Sequence, residues 1–292
     1  MADATTKENL IIFKKRLSEN TVRIEVTAPL IAKKALPGQF VILRVHARGE
    51  RIPLTIADSN PGKETITLIF QEVGKSTLML GCLNEGDRLH DLVGPLGHPT
   101  PIENYGTAVV VAGGLGTAEM YPIARALRTA GNHVITIVGA RREDLLVLLD
   151  EMASVSDEVI ITTDDGSRGR KGVVTEPLKE LVAEGRANFV ITCGPVIMMK
   201  FVAETTREAG ILTMASLNPI MVDGTGMCGV CRVTVGGKTR YACVDGPDFN
   251  AHEVDFAELM LRQKTYCPQE KHAMELWQAE REHECKAIPP KS

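Results

Sequence analysis

The first hundred residues alternate apolar and polar positions in short runs. Residues 21–26 alternate regularly, and two further β-prone runs, residues 39–45 and 65–70, each follow a Pro-Gly pair. Residues 86–97 contain two more short β-prone pieces around glycine and proline. Closely spaced strands with almost no helical periodicity are typical of a small barrel. We therefore predict an antiparallel β-barrel over residues 1–100.

The pattern changes after Pro99 and Pro101. Residues 108–112 form a continuous apolar run, which is typical of a buried parallel strand, and helical spacing follows over residues 118–130. The later predicted elements are a strand over 133–138, a helix around 142–152, a strand over 158–162, a helix over 175–183 and a strand over 188–193. Alternation of strands and helices predicts a doubly wound parallel sheet, here over residues 101–215.

The last quarter of the chain has two parts. Residues 216–256 contain three clustered cysteines among glycines and β-prone residues, and we predict a small separate lobe there. Residues 255–284 are rich in Glu, Lys, Gln, Ala and Leu and are predicted to be helical, within a tail over residues 257–292. The predicted fold class is thus β plus α/β, with a small C-terminal lobe and helix.

Composition and charge limit the domain number, the partners and the location that can be expected for this chain. A chain of 292 residues has room for about two domains. A net charge of −4 without a basic run argues against nucleic acid and anionic membranes as partners. No apolar run is long enough to span a membrane, and the N-terminus shows no hydrophobic signal region. Seven cysteines, four of them scattered, do not form a disulfide framework, so we predict a cytoplasmic location.

The three clustered cysteines have the most informative spacing in the chain. A plant-type [2Fe–2S] loop has the spacing C-x4-C-x2-C followed by a distant cysteine. Here Asp223 occupies the first position, Cys228 and Cys231 the next two, and Cys243 the last. We predict these four residues as ligands of a [2Fe–2S] cluster with one oxygen ligand. A zinc site with Asp223 as the fourth ligand, or plain packing of small thiols, are the alternatives.

Three glycine-containing loops follow predicted parallel strands, where open α/β sheets bind ligands. The first, Gly113-Gly114-Leu-Gly116-Thr117, lies between a strand and a helix start, where free backbone N–H groups favour a pyrophosphate. The second, residues 162–172, contains Asp164 and Asp165, and the third is Cys193-Gly194-Pro195. Each loop is a weak signal alone, but together they predict a nucleotide cleft.

In the predicted barrel, Arg51 and Thr55 lie on the same face of a strand as Pro53, because side chains alternate between faces. An arginine binds a phosphate in a bidentate manner, and a threonine hydroxyl donates to a ring nitrogen or oxygen. Residues 73–77 resemble the end of a phosphate-binding P-loop. The upstream glycine is absent, so we reject a nucleotide hydrolase, although the amides of residues 74–77 can still cradle a phosphate.

The order of these motifs resembles the ferredoxin–NADP reductase superfamily. The resemblance covers essentially the whole chain and is strongest in Arg51-Ile-Pro-Leu-Thr55, in residues 73–77 and in the cysteine loop. Within that superfamily, the chain resembles the small (alpha) subunits of NADH-dependent reduced ferredoxin:NADP oxidoreductase. It is also similar to the electron-transfer subunits of dihydroorotate dehydrogenase. An aspartate ligand occurs in the ferredoxin:NADP branch, so Asp223 favours that branch.

The resemblance implies where the cofactors bind. It implies FAD contacts at Arg51, Pro53, Leu54, Thr55, Gly74, Lys75, Ser76 and Thr77. It implies contacts with a nicotinamide dinucleotide at Gly114, Gly116, Thr117, Asp164 and Gly194, and we extend this set to Gly113, Asp165 and Pro195 in the same loops. Thr55 and Cys193 are predicted to be the catalytic residues.

The function predicted from these residues and this resemblance is hydride exchange between NAD(H) and FAD, followed by single-electron transfer through the cluster. The resemblance implies a larger partner subunit with further flavin and [4Fe–4S] centres, access to ferredoxin through that partner, and a complex capable of electron bifurcation. NADH is the predicted donor, although Arg141 and Arg142 leave NADPH open. The alternatives are a dihydroorotate dehydrogenase electron-transfer subunit and a non-catalytic, zinc-containing nucleotide-binding protein.

Overall fold

A computed structural model describes residues 8–287 of the chain, with side chains up to residue 279. Residues 1–7, where we predict no signal region, and residues 288–292 of the predicted tail lie outside the described residues. Among the described residues, no helix combines the length and the apolar character needed to cross a membrane.

The N-terminal part is an antiparallel sheet that curls into a barrel. Its strands are β1 (Ile11–Arg16), β2 (Thr21–Thr27), β3 (Phe40–Arg44), β4 (Arg51–Asn60), β5 (Thr65–Gln71) and β6 (Asp91–Leu96), in the order β1-β2-β5-β4-β3-β6. The two ends of the sheet meet where the amide of Ile11 donates to the carbonyl of Asp87 and the amide of Leu89 to that of Asn9. These bonds satisfy edge groups that would otherwise be open, and the predicted antiparallel barrel is confirmed.

Two short helices in this region were not predicted: α1 (Pro29–Lys34) and α2 (Lys75–Cys82). The first is only six residues long and begins with a proline, which suits a first turn but gives no helical periodicity. The second begins at Lys75, directly after Gly74, within the stretch that resembles the end of a P-loop. Both connect strands of the barrel, and Ser76 in the first turn of α2 donates a hydrogen bond to Glu50, the residue before β4.

The central part is a mixed sheet. Its strands are β7 (Thr107–Gly113), β8 (His133–Ala140), β9 (Glu158–Thr163), β10 (Arg170–Lys171), β11 (Phe189–Cys193) and β12 (Leu212–Ser216). The order is β10-β9-β8-β7-β11-β12, with every neighbouring pair parallel. Both faces are covered by helices, so the central strands are buried along almost their whole length, and the predicted parallel sheet is confirmed.

The covering helices are α3 (Gly116–Thr129), α4 (Leu149–Val155), α5 (Thr175–Ala183) and α6 (Val196–Arg207). The helix predicted around residues 142–152 is wrong in extent: a single 3-10 turn, Glu143–Leu145, precedes α4. The buried side chains of Val147 and Leu148 pack with Ala118 and Ile69 between the sheet and the barrel, and Leu148 has a φ of 56°. This packing keeps the backbone non-helical up to Leu148, so the helix begins only at Leu149.

The C-terminal part contains a hairpin of β13 (Arg232–Val235) and β14 (Lys238–Tyr241), the short helix α7 (Ala242–Asp245) and the strand β15 (Asp248–Asn250). Strand β15 pairs antiparallel with β12 and so extends the central sheet. The predicted helical region after residue 255 consists of two helices, α8 (Phe256–Gln263) and α9 (Cys267–Ala287).

One carboxylate, that of Asp248, lies where the barrel, the sheet and the C-terminal part meet. The hydroxyl of Thr100, just after the barrel, donates to Asp248 Oδ2 over 2.5 Å. Ser216 at the end of β12 faces the same carboxylate, and the amide of Leu217 donates to the carbonyl of Pro247. Burial raises the pKa of Asp248, while the hydrogen bonds from Thr100 and Ser216 act in the opposite direction. Asp248 therefore connects segments that are distant in the sequence.

We expect Asp248→Ala to lower the free energy of unfolding by about 2–3 kcal/mol, because the hydroxyl donors lose their acceptor. Asp248→Asn keeps an oxygen acceptor of the same shape and should lose less. Chemical denaturation of the two variants and the wild type measures the difference. Equal losses in the two variants would contradict an acceptor role for this carboxylate.

Candidate functional site

A cavity of about 180 Å³ lies between the barrel and the central sheet. The barrel contributes Pro53, Leu54 and Thr55, and α3 contributes Glu119. The segment after β12 and the residue before β15 complete the wall. The remaining lining residues are Phe40, Ile69, Leu115, Ser216, Leu217, Asn218, Pro219, Met221 and Pro247. The cavity is mostly apolar with a few converging polar groups, which is typical of a cofactor or substrate site.

Glu119 and Cys193 form a hydrogen-bonded pair at this cavity. The thiol of Cys193, at the end of β11, donates to Glu119 Oε2 over 2.6 Å. Burial is the main reason that the pKa of Glu119 rises from an ordinary value of 4.5 to about 6, and the hydrogen bonds from Cys193 and Thr55 limit the rise. Burial, followed by the charge of Glu119, raises the pKa of Cys193 well above its usual range. Cys193 is therefore an uncharged thiol at neutral pH.

The first and third predicted glycine loops pack against each other beside this pair. A Cβ at Gly116 would collide with the carbonyl oxygen of Cys193, and one at Gly194 would meet the backbone of Gly113. The hydroxyl of Thr117 donates to the carbonyl of Gly114, which closes the turn into α3. Glycine is required here because two backbones approach closely. Pro195 follows directly and precedes α6.

The second predicted loop follows β9 at the same carboxyl edge of the sheet, two strands away from β7. Asp165 accepts hydrogen bonds from the amide and hydroxyl of Ser167, and these bonds lower its pKa. Asp164 is exposed and its amide donates to the carbonyl of Ala140. The second loop therefore lies at the same edge of the sheet as the other two loops. A role for Asp164 and Asp165 in binding stays a prediction.

The predicted phosphate-binding residues of the barrel lie close together. Ser76, in the first turn of α2, donates to Glu50 beside Arg51 over 2.8 Å. Thr77 Oγ1 accepts from the amide of Gly74 and so caps α2. Arg51 is exposed, and no ion pair involves it among the described residues. Space is open around Gly74, whose Cβ position has no neighbour within 4 Å.

The cysteine loop brings two of its four predicted ligands into contact. The thiols of Cys231 and Cys243 are 3.2 Å apart and both residues are 1% exposed. Cys228 is exposed, and Asp223 accepts a short hydrogen bond from Thr225. In the part of the chain that the structure describes, no three or more His, Cys, Asp or Glu side chains are arranged as a metal site. The four-residue ligand set stays a prediction.

The loop geometry nevertheless suits a ligand set that encloses a cluster. Three glycines between Asp223 and Val230 have φ values of +80°, +80° and +66°, which turn the chain tightly around the cysteines. Burial, followed by the hydrogen bond to Cys231, raises the pKa of Cys243 to about 12. The donor set of three thiols and one carboxylate on this turn has the chemistry that iron–sulfur and zinc sites use.

Sequence reasoning missed Glu119 and Asp248. Glu119 is an acid in the first turn of α3, only two residues beyond Thr117 of the predicted glycine loop, and that proximity was an available signal. Asp248 follows a Gly-Pro pair in a loop-like stretch. Its contacts with Thr100 and Ser216 depend on the tertiary fold and leave no local pattern.

Two family models match the chain in these regions. Residues 110–204 match an oxidoreductase NAD-binding domain, and residues 218–255 match the iron–sulfur cluster binding domain of dihydroorotate dehydrogenase B. The predicted NAD-binding sheet and iron–sulfur lobe are confirmed at this level.

The chain is similar along most of its length to known proteins. It is 48% identical over 92% of its length to an electron transfer subunit homolog of dihydroorotate dehydrogenase B (NAD(+)) from Thermotoga maritima, of which it covers 95%. It is 34% identical over 84% of its length to the corresponding electron transfer subunit from Clostridium perfringens, of which it covers 98%.

Solved structures agree with these relatives. A chain from the structure of NADH-dependent reduced ferredoxin-NADP oxidoreductase superposes with a TM-score of 0.88 at 47% identity, covering 94% of this chain and 99% of that one. A ferredoxin NADP+ reductase from Neisseria gonorrhoeae shares the fold, with a TM-score of 0.58 at 17% identity over 70% of this chain and 92% of that chain.

A barrel, an NAD-binding sheet and an iron–sulfur lobe around one cavity define a ferredoxin–NADP reductase-like oxidoreductase. Within that class, the chain belongs to the family of electron transfer subunits of the dihydroorotate dehydrogenase B and ferredoxin-NADP oxidoreductase type. The family resemblance predicted from the motifs is confirmed.

The raised pKa of Glu119 predicts a pH-dependent stability. The carboxyl binds its proton more tightly in the folded protein than in the unfolded chain. Its contribution to the free energy of unfolding is therefore complete below pH 4.5 and is lost as the pH rises through about 6. The loss should be about 2 kcal/mol in the free energy of unfolding. Glu119→Gln should remove this component when unfolding is compared with the wild type between pH 4 and 8, whereas the exposed control Glu208→Gln should retain it. An unchanged pH profile in Glu119→Gln would contradict the assignment.

Proposed function

We propose that the chain accepts a hydride from NADH on an FAD bound against the barrel and passes the electrons singly through a [2Fe–2S] cluster in the cysteine lobe. The observation that carries this proposal is the cavity to which the barrel, the NAD-binding sheet and the segments flanking the cysteine lobe all contribute lining residues. Electron transfer needs its centres close together, and this is the place where the three parts meet.

The barrel residues fit a dinucleotide flavin. Arg51 has no ion-pair partner among the described residues and lies beside the N-terminus of α2, where free N–H groups and the helix dipole favour a phosphate. Pro53, Leu54 and Thr55 line the cavity and offer an apolar wall with one hydroxyl. When bound, FAD supplies the conversion between hydride and single-electron chemistry.

The glycine loops suit a nicotinamide dinucleotide. Gly113, Gly114, Gly116 and Thr117 form the turn into α3, where the helix N-terminus can hold the pyrophosphate. Cys193 and Gly194 pack on that turn and border the Glu119 carboxylate. Thr55 and Cys193 both donate hydrogen bonds to Glu119, and we propose that they orient the hydride donor there.

In the cysteine lobe, Asp223, Cys228, Cys231 and Cys243 are the proposed ligands. The contact between the Cys231 and Cys243 thiols supports the proposal, as does the iron–sulfur domain match. The segment before the loop lines the cavity through Pro219 and Met221. Cys231 and Cys243 also share a buried core with Phe40 and Ile42 of the barrel and with Ala215 of β12, so these cysteines would hold a cluster next to both parts.

We further propose that a larger partner subunit receives these electrons. The relatives are named as electron transfer subunits, and the similar structure is that of NADH-dependent reduced ferredoxin-NADP oxidoreductase, studied for flavin-based electron bifurcation. The names of the sequence relatives favour a second candidate, a subunit that serves dihydroorotate oxidation. Orotate-linked activity with a partner separates the two candidates.

Anaerobic addition of NADH to the purified protein, with iron and acid-labile sulfide assayed on the same sample, tests the proposal. We expect flavin absorption and a broader cluster absorption, both of which decrease on addition of NADH. A flavin that bleaches in a protein without iron would contradict the single-electron path. A protein that stays colourless after reconstitution with FAD, iron and sulfide would contradict the whole proposal.

The role of Asp223 has its own test. We expect Asp223→Cys to retain the cluster but to shift its midpoint potential, because a thiolate is a softer ligand than a carboxylate. Val222→Cys adds a thiol one residue away without replacing the carboxylate, and its midpoint should match the wild type. Redox titration followed by visible absorption measures both. An unchanged midpoint and spectrum in Asp223→Cys would show that Asp223 is not a ligand.

A further inference from the structure

A second cavity, also of about 180 Å³, lies between the cysteine loop and helix α8, and Pro219 lines both cavities. The loop and the start of β13 contribute Val230 and Arg232, while α8 and the residues after it contribute Arg262 and Tyr266. Within the described part of the chain, two arginines and no acidic side chain line this second cavity. None of the residues assigned above to the flavin, the nicotinamide dinucleotide or the cluster belongs to its wall.

The two arginines of this cavity carry charges that no acidic group compensates. Arg232 Nη1 donates to the carbonyl of Gly229 over 3.2 Å, and Arg262 Nη2 donates to the carbonyl of Val230 over 3.1 Å. Among the described residues, these two backbone carbonyls are the only acceptors of the two guanidinium groups, and Nε of Arg262 is buried without one. A guanidinium has five N–H donors, so most of them are left for a further acceptor. A buried donor that lacks an acceptor lowers stability, and an anion beside the guanidinium groups would offset that cost.

The C-terminus of α8, which borders the cavity, does not oppose an anion strongly. A helix C-terminus carries partial negative charge on its free carbonyl groups. Here the carbonyl of Arg262 accepts from the hydroxyl of Thr265 over 2.6 Å, and the carbonyl of Leu261 accepts from the amide of Lys264 over 3.2 Å. These carbonyls therefore have donors of their own, and the side chain of Lys264 adds a further cation near the helix end.

We propose that this cavity binds a small oxyanion, either phosphate or the carboxylate of a short organic acid, through Arg232 and Arg262. Both groups present two oxygens that match the planar donor fork of a guanidinium. The cavity has room for several water molecules, which suits an ion or a short acid. Ile220 and Leu259 give it an apolar side, against which the carbon atoms of an organic acid can pack, and Tyr266 adds a phenol.

The position of the site connects an anion to the cysteine loop, and this part of the proposal rests on the proposed function. The two carbonyls that accept from the arginines belong to Gly229 and Val230, which lie between the proposed cluster ligands Cys228 and Cys231. An anion bound to the arginines would neutralise positive charge close to the cluster. Reduction adds an electron to the cluster and is then less favourable, so the bound anion lowers its midpoint potential.

Calorimetric titration of the purified protein with sodium phosphate, and separately with sodium propionate, tests the site at constant ionic strength in a zwitterionic buffer. We expect saturable binding of one anion per chain, and the tighter of the two probes tells phosphate from carboxylate. Arg232→Gln and Arg262→Gln should each weaken binding about tenfold or more, because each removes a charge-assisted hydrogen bond. Arg262→Lys keeps the charge without the planar fork and should bind with intermediate strength.

Arg240→Gln is the matched control, since it removes the same charge from the same hairpin. Arg240 pairs with the buried Val233 and therefore lies on the opposite face of the hairpin from Arg232, so its variant should bind as the wild type does. If Arg262→Gln fails to fold, the exposed Arg232 still decides. Titrations that do not saturate with either probe, or wild-type binding in both arginine variants, would overturn the proposal.

Redox titration with and without the bound anion tests the connection to the cluster. We expect the anion to lower the midpoint potential in the wild type and in Arg240→Gln, and to leave it unchanged in Arg232→Gln at the same anion concentration. An unchanged or raised midpoint in the wild type at a saturating anion concentration would overturn this connection and leave the anion site intact. A protein that contains no iron and sulfide would refute the cluster of the proposed function, while the calorimetric titration would still decide whether the anion site exists.

Discussion

The arrangement of the barrel, the sheet and the C-terminal part depends on buried contacts between them, among which the hydrogen bond between Thr100 and Asp248 joins residues 148 apart in the sequence. This bond joins the end of the barrel to β15, and β15 pairs with β12 at the edge of the central sheet. Asp248 comes soon after Cys243 in the chain, so one buried carboxylate contacts three segments that a shared buried core also holds together. The cavity between the barrel and the sheet lies at this junction, since Ser216 and Pro247 are among its lining residues.

The same enclosure explains the electrostatics of the site. Burial makes charge costly, so Cys193 stays an uncharged thiol. For the same reason the pKa of Glu119 lies closer to neutral pH than that of a carboxyl at the surface. An apolar chamber with one titratable group is a poor site for hydrolysis but a suitable one for hydride and electron transfer, in which the protein orients groups and controls protons. The chemistry of the site therefore depends on the scarcity of charged groups in the cavity as much as on the polar groups that the three parts contribute.

Much of the fold could be predicted because its signals are local. The alternation in residues 21–26 and the apolar run before Gly113 gave strands that the structure contains, and the helix over residues 175–183 matches α5. The break at Leu148 could not be foreseen, since it follows from packing against the barrel. Glu119 and Asp248 escaped notice for the same reason: their importance comes from partners far away in the sequence. The predicted binding residues of the glycine loops and the cysteine loop stay predictions, although the topology places the glycine loops at one edge.

The central claim is that electrons from NADH reach an iron–sulfur cluster in this chain one at a time. Low-temperature electron paramagnetic resonance of the anaerobic protein after addition of NADH tests it most directly. The account predicts a signal from a reduced [2Fe–2S] cluster that is absent before NADH is added and is lost in the double variant Cys231→Ser, Cys243→Ser. A protein that contains iron and sulfide but shows no cluster signal with NADH, and shows one with dithionite, would contradict the claim.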